Sequence, residues 1–142
     1  MTQEEKDLLL KDLCARLPYN VQGVTSEGVV SPLIVKREAD WDIITSLNYR
    51  IVKYGWKPYL RPMSSMTEEE KKKLKADTCP EETGYFDEKY LICPMNHFGE
   101  FISYEFMSAI LEWLNAHHFD YRGLIEKGLA IEAPEGMYKY KE

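Results

Sequence analysis

The chain of 142 residues is long enough for one ordinary domain, which buries roughly two thirds of its unfolded surface and holds a core without metal or disulfide staples. Hydrophobic residues at 44% and charged residues at 30% describe a globular protein and exclude disorder, and no run approaches the roughly twenty apolar residues that span a bilayer. The net charge of −6 hides a basic middle: residues 43–80 carry eight Lys and Arg against four Asp and Glu, whereas residues 81–142 carry five against twelve. The opening "MTQEEKDLLLKDL" is acidic and polar where a secretory signal is basic and apolar, and Cys14, Cys79 and Cys93 are odd in number and widely spaced. These features predict a cytoplasmic protein with reduced thiols and no membrane partner.

Thr2 stands three residues before Glu5, a capping-box spacing, and Leu9, Leu10, Leu13, Cys14 and Leu17 follow at helical intervals up to Pro18. A first helix is predicted over about 3–16. From Tyr19 to Pro62 β-branched and aromatic residues alternate with turn signals, in "NVQGV", "VVSPLIVK", "WDIITSL", "NYRIVKY" and "GWKPYLRP". Four or five short strands are expected there, in a small antiparallel sheet or partly closed barrel. Pro32, Pro58 and Pro62, lacking an N–H, belong at its edges or strand ends, and Gly23 and Gly28 at turns or bulges.

Two overlapping capping boxes, Ser65 with Glu68 and Thr67 with Glu70, start a peripheral helix of about 67–76 anchored by Met66 and Leu74. A loop with one short strand near Tyr90–Cys93 leads to "FGEFISYEFMSAILEWLNAHH", whose Glu105, Ser108, Glu112 and Asn115 form one narrow polar stripe on a core helix of about 100–118. Asp120 is placed to cap a short helix reaching about Lys127, with Gly128 at its left-handed end. "LAIE" is then extended and "APEG" turns.

"HHFDYRG" (117–123) gathers five reactive side chains, two His with Asp, Tyr and Arg, in seven positions. Helical phase at 100° per residue turns His117 into the core between Phe106 and Ile110 and leaves His118 at the margin, so the segment reads as a helix junction. Asp120 caps and Arg122 pairs with a carboxylate or an aromatic face. Zinc ligation by Cys93, His97 and His118 is a weak possibility, because only the Cys93-to-His97 interval has the usual ligand spacing. No Gly-x-Ser-x-Gly and no phosphate-cradling glycine loop is present, so no cofactor is implied and an enzyme is disfavoured.

The clearest binding signal is the stretch 49–61. It interleaves Arg50, Lys53, Lys57 and Arg61 with Tyr49, Tyr54, Trp56 and Tyr59, and no acid occurs between Asp42 and Glu68. An aromatic surface with arginine suits a protein partner. Single-stranded nucleic acid is the weaker alternative, since a chain of net charge −6 attracts a polyanion poorly at long range. A hydrolase or metal enzyme with a site near His118 is the second alternative.

At "KPYLRPMSSMTEEEKK" (57–72) and "NAHHFDYRGLIEKGLAIEAPEGMY" (115–138), and more loosely at "LLLKDLCARLPY", the chain resembles small uncharacterised proteins of bacteriophages, prophages and related mobile elements of gut Bacteroides. The resemblance implies a phage or prophage accessory protein in the bacterial cytosol and brings no reaction, cofactor or catalytic residue. The segment "GVTSEGVVSPLIVKREADWDIITSL" lies outside it, as a variable, partner-facing sheet on a common helical frame would. The expected fold is a single α+β domain: an N-terminal helix, a β-rich half over about 19–62, and a helical half over about 65–142. Its expected role is non-enzymatic, through protein contact at 49–61.

Overall fold

A computed structural model describes residues 1–33, 43–78 and 104–138. The fold is α+β. In chain order its elements are α1 (Gln3–Arg16), β1 (Gln22–Val24), β2 (Val30–Pro32), α2 (Ile43–Tyr54), β3 (Lys57–Pro62), α3 (Glu68–Thr78), α4 (Tyr104–Ala116), β4 (Phe119–Asp120) and β5 (Ile131–Glu132). The strand expected near Tyr90–Cys93 lies outside the described residues.

The capping signals largely act as expected. Thr2 Oγ1 accepts the Glu5 N–H at 3.1 Å while the Glu5 carboxylate accepts the Thr2 N–H at 3.3 Å, closing the capping box on α1. The same exchange between Thr67 and Glu70, at 3.1 and 3.2 Å, starts α3. The overlapping box at Ser65 does not form: its hydroxyl donates to Pro62 O instead of capping α3.

The largest departure is α2. Residues 43–54, expected as strands, form a helix that buries Leu47 and Ile51, one turn apart, against the core. Apolar spacing of three and four residues outweighs the β-branched composition, because strand propensity reflects packing context more than backbone preference. Gly55 (φ +61°) ends the helix in the left-handed region, its N–H bonded to Ile51 O at 3.1 Å. With these residues helical, the sheet formed by the described residues stays open and does not close into a barrel.

The sheet is also mixed instead of wholly antiparallel. β1 pairs antiparallel with β2 and with β3, while β3 pairs in parallel with β4, Arg61 beside Phe119, and with β5, Tyr59 beside Ile131. Pro32 and Pro62 end their strands as expected, but Pro58 lies inside β3, the strand with three partners. Alternate residues face the same strand edge, so Pro58 shares the edge of Leu60, whose carbonyl accepts from Ala133. Pairing with β5 begins only at Tyr59, and no N–H is required of Pro58. Gly23, expected in a turn or bulge, is mid-β1, where a Cβ would fall inside the indole of Trp56.

Tyr138 completes the β1–β3 ladder. The register that sets Gly23 opposite Pro58 places Gln22 opposite Tyr59. There the Tyr138 hydroxyl is inserted, accepting from Gln22 N–H at 2.7 Å and donating to Tyr59 O at 2.9 Å. Burial pushes the phenol up to about 12, so the hydroxyl keeps its proton across the ordinary pH range. Tyr138→Phe leaves a donor and an acceptor of the ladder unbridged and is expected to cost about 1–3 kcal/mol, read as a lower urea midpoint at unchanged m.

Among the described residues, buried apolar side chains form two clusters. One joins Leu9 and Leu13 of α1, Leu47 and Ile51 of α2, Trp56 and Leu60 to Leu124 and Leu129. The other joins Met66 and Leu74 to Ile110, Trp113, Leu114 and Phe119. Between them lies a charged clamp. Asp12 and Arg16, both wholly buried on α1, pair at 2.7 Å; Arg16 Nη2 also donates to Phe119 O at 2.7 Å, and Arg122 Nε reaches Asp12 at 3.2 Å. A second tie, Arg61 bidentate on Glu70 at 2.7 Å with its guanidinium 4.2 Å over the Phe119 ring, joins β3 to α3.

Candidate functional site

The stretch 49–61 divides between two surroundings. Its helical part, Tyr49, Arg50, Lys53 and Tyr54, sits on the outer side of α2. Its remaining part is committed to the fold: Trp56, just before β3, is 2% exposed, Lys57 and Tyr59 are half-buried, and Arg61 is held by Glu70. The reason is the turn at Gly55, which sends the chain from a surface helix into the middle of the sheet.

On α2 the cluster is ordered by its own contacts. Lys53 Nζ donates to Tyr49 Oη at 2.6 Å and lies 5.0 Å from the Tyr49 ring centre and 5.7 Å from that of Tyr54. The two rings meet edge to face at 5.7 Å. The Tyr49 hydrogen bond holds the Lys53 ammonium above the usual lysine range. Beside the cluster the β1–β2 hairpin presents exposed Val29 and Val30, and α2 adds exposed Val52. A cavity of about 370 Å³ opens between hairpin and helix, lined by Thr25, Ser26, Val29, Arg50, Lys53 and Trp56 among others. The indole N–H of Trp56 is buried there without an acceptor.

The histidine pair occupies a different place. α4 ends at Ala116, so extending its phase through residue 118 misplaces the His117 ring. His117, expected in the core, is half-buried with its ring stacked at 3.8 Å on Trp113 and its Nδ1 2.8 Å from Trp113 O. His118 leaves the helix at φ +65°, a conformation that costs a residue with a Cβ roughly 1–2 kcal/mol. Its carbonyl accepts the Arg61 N–H at 2.8 Å, which begins the β3–β4 pairing, and its ring stacks at 3.8 Å on Tyr138. His118 Nδ1 is buried without a partner. Burial first, then the charges of Arg16, His117 and Arg61, push its pKa down to about 4.

Both rings line a cleft of about 540 Å³ whose other walls include Tyr19, Asn20, Gln22, Arg61, Gly136 and Tyr138. Sequence reasoning named His118 and Arg61 but missed Tyr138 and Gln22, which only the folded chain brings together.

The rest of "HHFDYRG" serves the fold. The Asp120 carboxylate accepts the N–H groups of Leu124 and Ile125, both at 2.9 Å, but the helix it was expected to cap does not form, and the segment after it is a series of turns. Gly128 takes the left-handed conformation at φ +73°. Arg122 meets both its expected partners, the Asp12 carboxylate and the Tyr121 ring 5.0 Å away. Cys93 and His97 lie outside the described residues. Among the described residues no three His, Cys, Asp or Glu side chains converge to hold a metal ion, and no helix is long and apolar enough to cross a membrane.

Comparison with family models, with curated proteins and with solved structures gives no match.

Proposed function

We propose that the chain acts by binding another protein through the face made by α2 and the β1–β2 hairpin, as an accessory protein of phage or prophage type in the bacterial cytoplasm. The observation that carries this reading is the preset Tyr49–Lys53–Tyr54 cluster beside exposed Val29, Val30 and Val52. Tyrosines already held against each other lose little side-chain freedom on association, and apolar neighbours supply area that water leaves when a partner docks. Phage origin rests on the sequence resemblance alone.

Nucleic acid finds less support on this face. Trp56 is buried and therefore no stacking platform, and Arg61 is engaged by Glu70. Two cations, Arg50 and Lys53, remain beside the cavity, where Glu27 also stands.

The test is capture from a host lysate by wild type and by a Tyr49→Ser, Val52→Ser, Tyr54→Ser variant whose melting curve confirms folding. All three side chains are exposed, so the core is untouched. A protein retained by wild type is expected to bind the variant at least about 30-fold more weakly, the loss of about 2 kcal/mol typical of a contact centre. Equal retention by both would sink the proposal. Retention abolished by nuclease treatment would instead establish a nucleic-acid tether.

A further inference from the structure

His118 combines three costs that a structural role alone does not explain. It adopts φ +65° where glycine or asparagine is cheaper, it buries Nδ1 with no partner, and it stands near Arg16 and Arg61. Departures from local rules concentrated on one residue are a mark of functional sites.

The surroundings define what such a site would take. Among the described residues, those lining the cleft supply donors and no carboxylate: the Arg61 guanidinium, the two imidazoles, the amides of Asn20 and Gln22, and the Tyr19 phenol. Behind it the wholly buried Arg16 and the partly exposed Arg122 share the carboxylate of Asp12, and among the described residues Arg16 Nη1 has no acceptor. Arg61 is balanced by Glu70 but keeps N–H groups beyond the two bonds it gives to that carboxylate. We propose that the cleft between α4, β1 and the Tyr138 segment is a binding site for a small molecule bearing an oxyanion, a phosphate or carboxylate, received by Arg61 and the Nε2 edge of His118.

Size and charge limit the ligand. About 540 Å³ admits an organic molecule larger than the ion itself, and the stacked His118–Tyr138 pair offers it a flat wall. The neighbouring cavity shares Arg61, Gly136 and Tyr138 and brings Glu132 and Glu135 to the rim. Those carboxylates repel an extended polyanion and leave room for one anionic group. An anion seated there offsets the charges of Arg16, Arg61 and His117 that disfavour the His118 imidazolium, so binding and protonation of His118 are coupled.

The experiment is imidazole NMR on the full chain during separate titrations with inorganic phosphate and with acetate, against chloride at matched ionic strength. The expected result is saturable displacement of the His118 resonances and of the Gln22 amide by phosphate, acetate or both, with the His118 pKa rising on saturation. The arm that saturates at the lower concentration identifies the oxyanion. His118→Asn, which suits a left-handed backbone, is expected to keep the fold and weaken binding about tenfold or more. Chloride acting as well as both oxyanions, or unchanged affinity in a folded His118→Asn variant, overturns the proposal.

Discussion

Asp12→Ala is expected to destabilise the fold by about 3–5 kcal/mol, the usual effect of removing one member of a buried ion pair. The magnitude reflects the bonds Asp12 gives its neighbours. Its carboxylate accepts from Arg16 at 2.7 and 3.1 Å and from Arg122 at 3.2 Å. Without it, Arg16 stays wholly buried and, among the described residues, keeps only the Phe119 carbonyl and the Tyr121 ring, 5.4 Å away, to stabilise its charge. The clamp also joins the two apolar clusters, so loosening Arg16 loosens β4 from α1.

A double substitution separates the charge from the space it fills. Asp12→Leu with Arg16→Met removes both ions, and its loss is expected to be smaller than that of Asp12→Ala, since no wholly buried guanidinium is left without its carboxylate. Urea unfolding of the three proteins measures the difference. A double variant as unstable as Asp12→Ala would show that packing around these side chains, and not the unpaired charge, sets the cost.

This clamp also marks where sequence reasoning stops. Asp12 and Arg16 are four residues apart on a helix that the sequence delimits well, but such pairs ordinarily lie in solvent and contribute a few tenths of a kcal/mol. Burial changes their meaning, and burial comes from Phe119, Tyr121 and Arg122, more than a hundred residues further along. The capping boxes at Thr2 and Thr67 were legible because both partners sit within three residues of each other. α2 was not, since its β-branched and aromatic residues suit either structure, and only Leu47 and Ile51 meeting the core beside Trp56 decides for the helix.

The candidate sites divide along the same line. Tyr49, Arg50, Lys53 and Tyr54 were found from composition because one helix keeps neighbours in sequence close in space. Trp56, in the same stretch, belongs to the core, a fate decided by Gly23 leaving room for the indole. The His118 cleft needed Gln22 and Tyr138, separated by 116 residues and joined by one hydroxyl. No local pattern announces such a bond.

The fold is expected to lose on the order of 2–3 kcal/mol as the pH falls from about 6.5 to about 4, with His118 as the principal cause. In the unfolded chain the imidazole takes a proton near its ordinary value of about 6.5. In the folded chain burial, then Arg16, His117 and Arg61, hold the value down to about 4. Between these limits the unfolded state binds a proton that the folded state refuses, so stability falls with falling pH and levels out below the lower limit. The full difference between the two values would give about 3 kcal/mol, and screening on the cleft side of the ring reduces it. Glu70 acts in a different window: burial raises its pKa, but the Arg61 and Thr67 hydrogen bonds together outweigh burial and hold it below the ordinary glutamate value of 4.5. Its contribution is present above that value and lost below it, where the His118 effect is ending. Urea midpoints measured at steps of about one pH unit distinguish the two. His118→Asn is expected to flatten the decline between about pH 6.5 and 4.5 and leave the steeper loss below it. If the variant declines as wild type does across the upper window, another group is responsible, and the burial and cationic surroundings of His118 do not govern its proton.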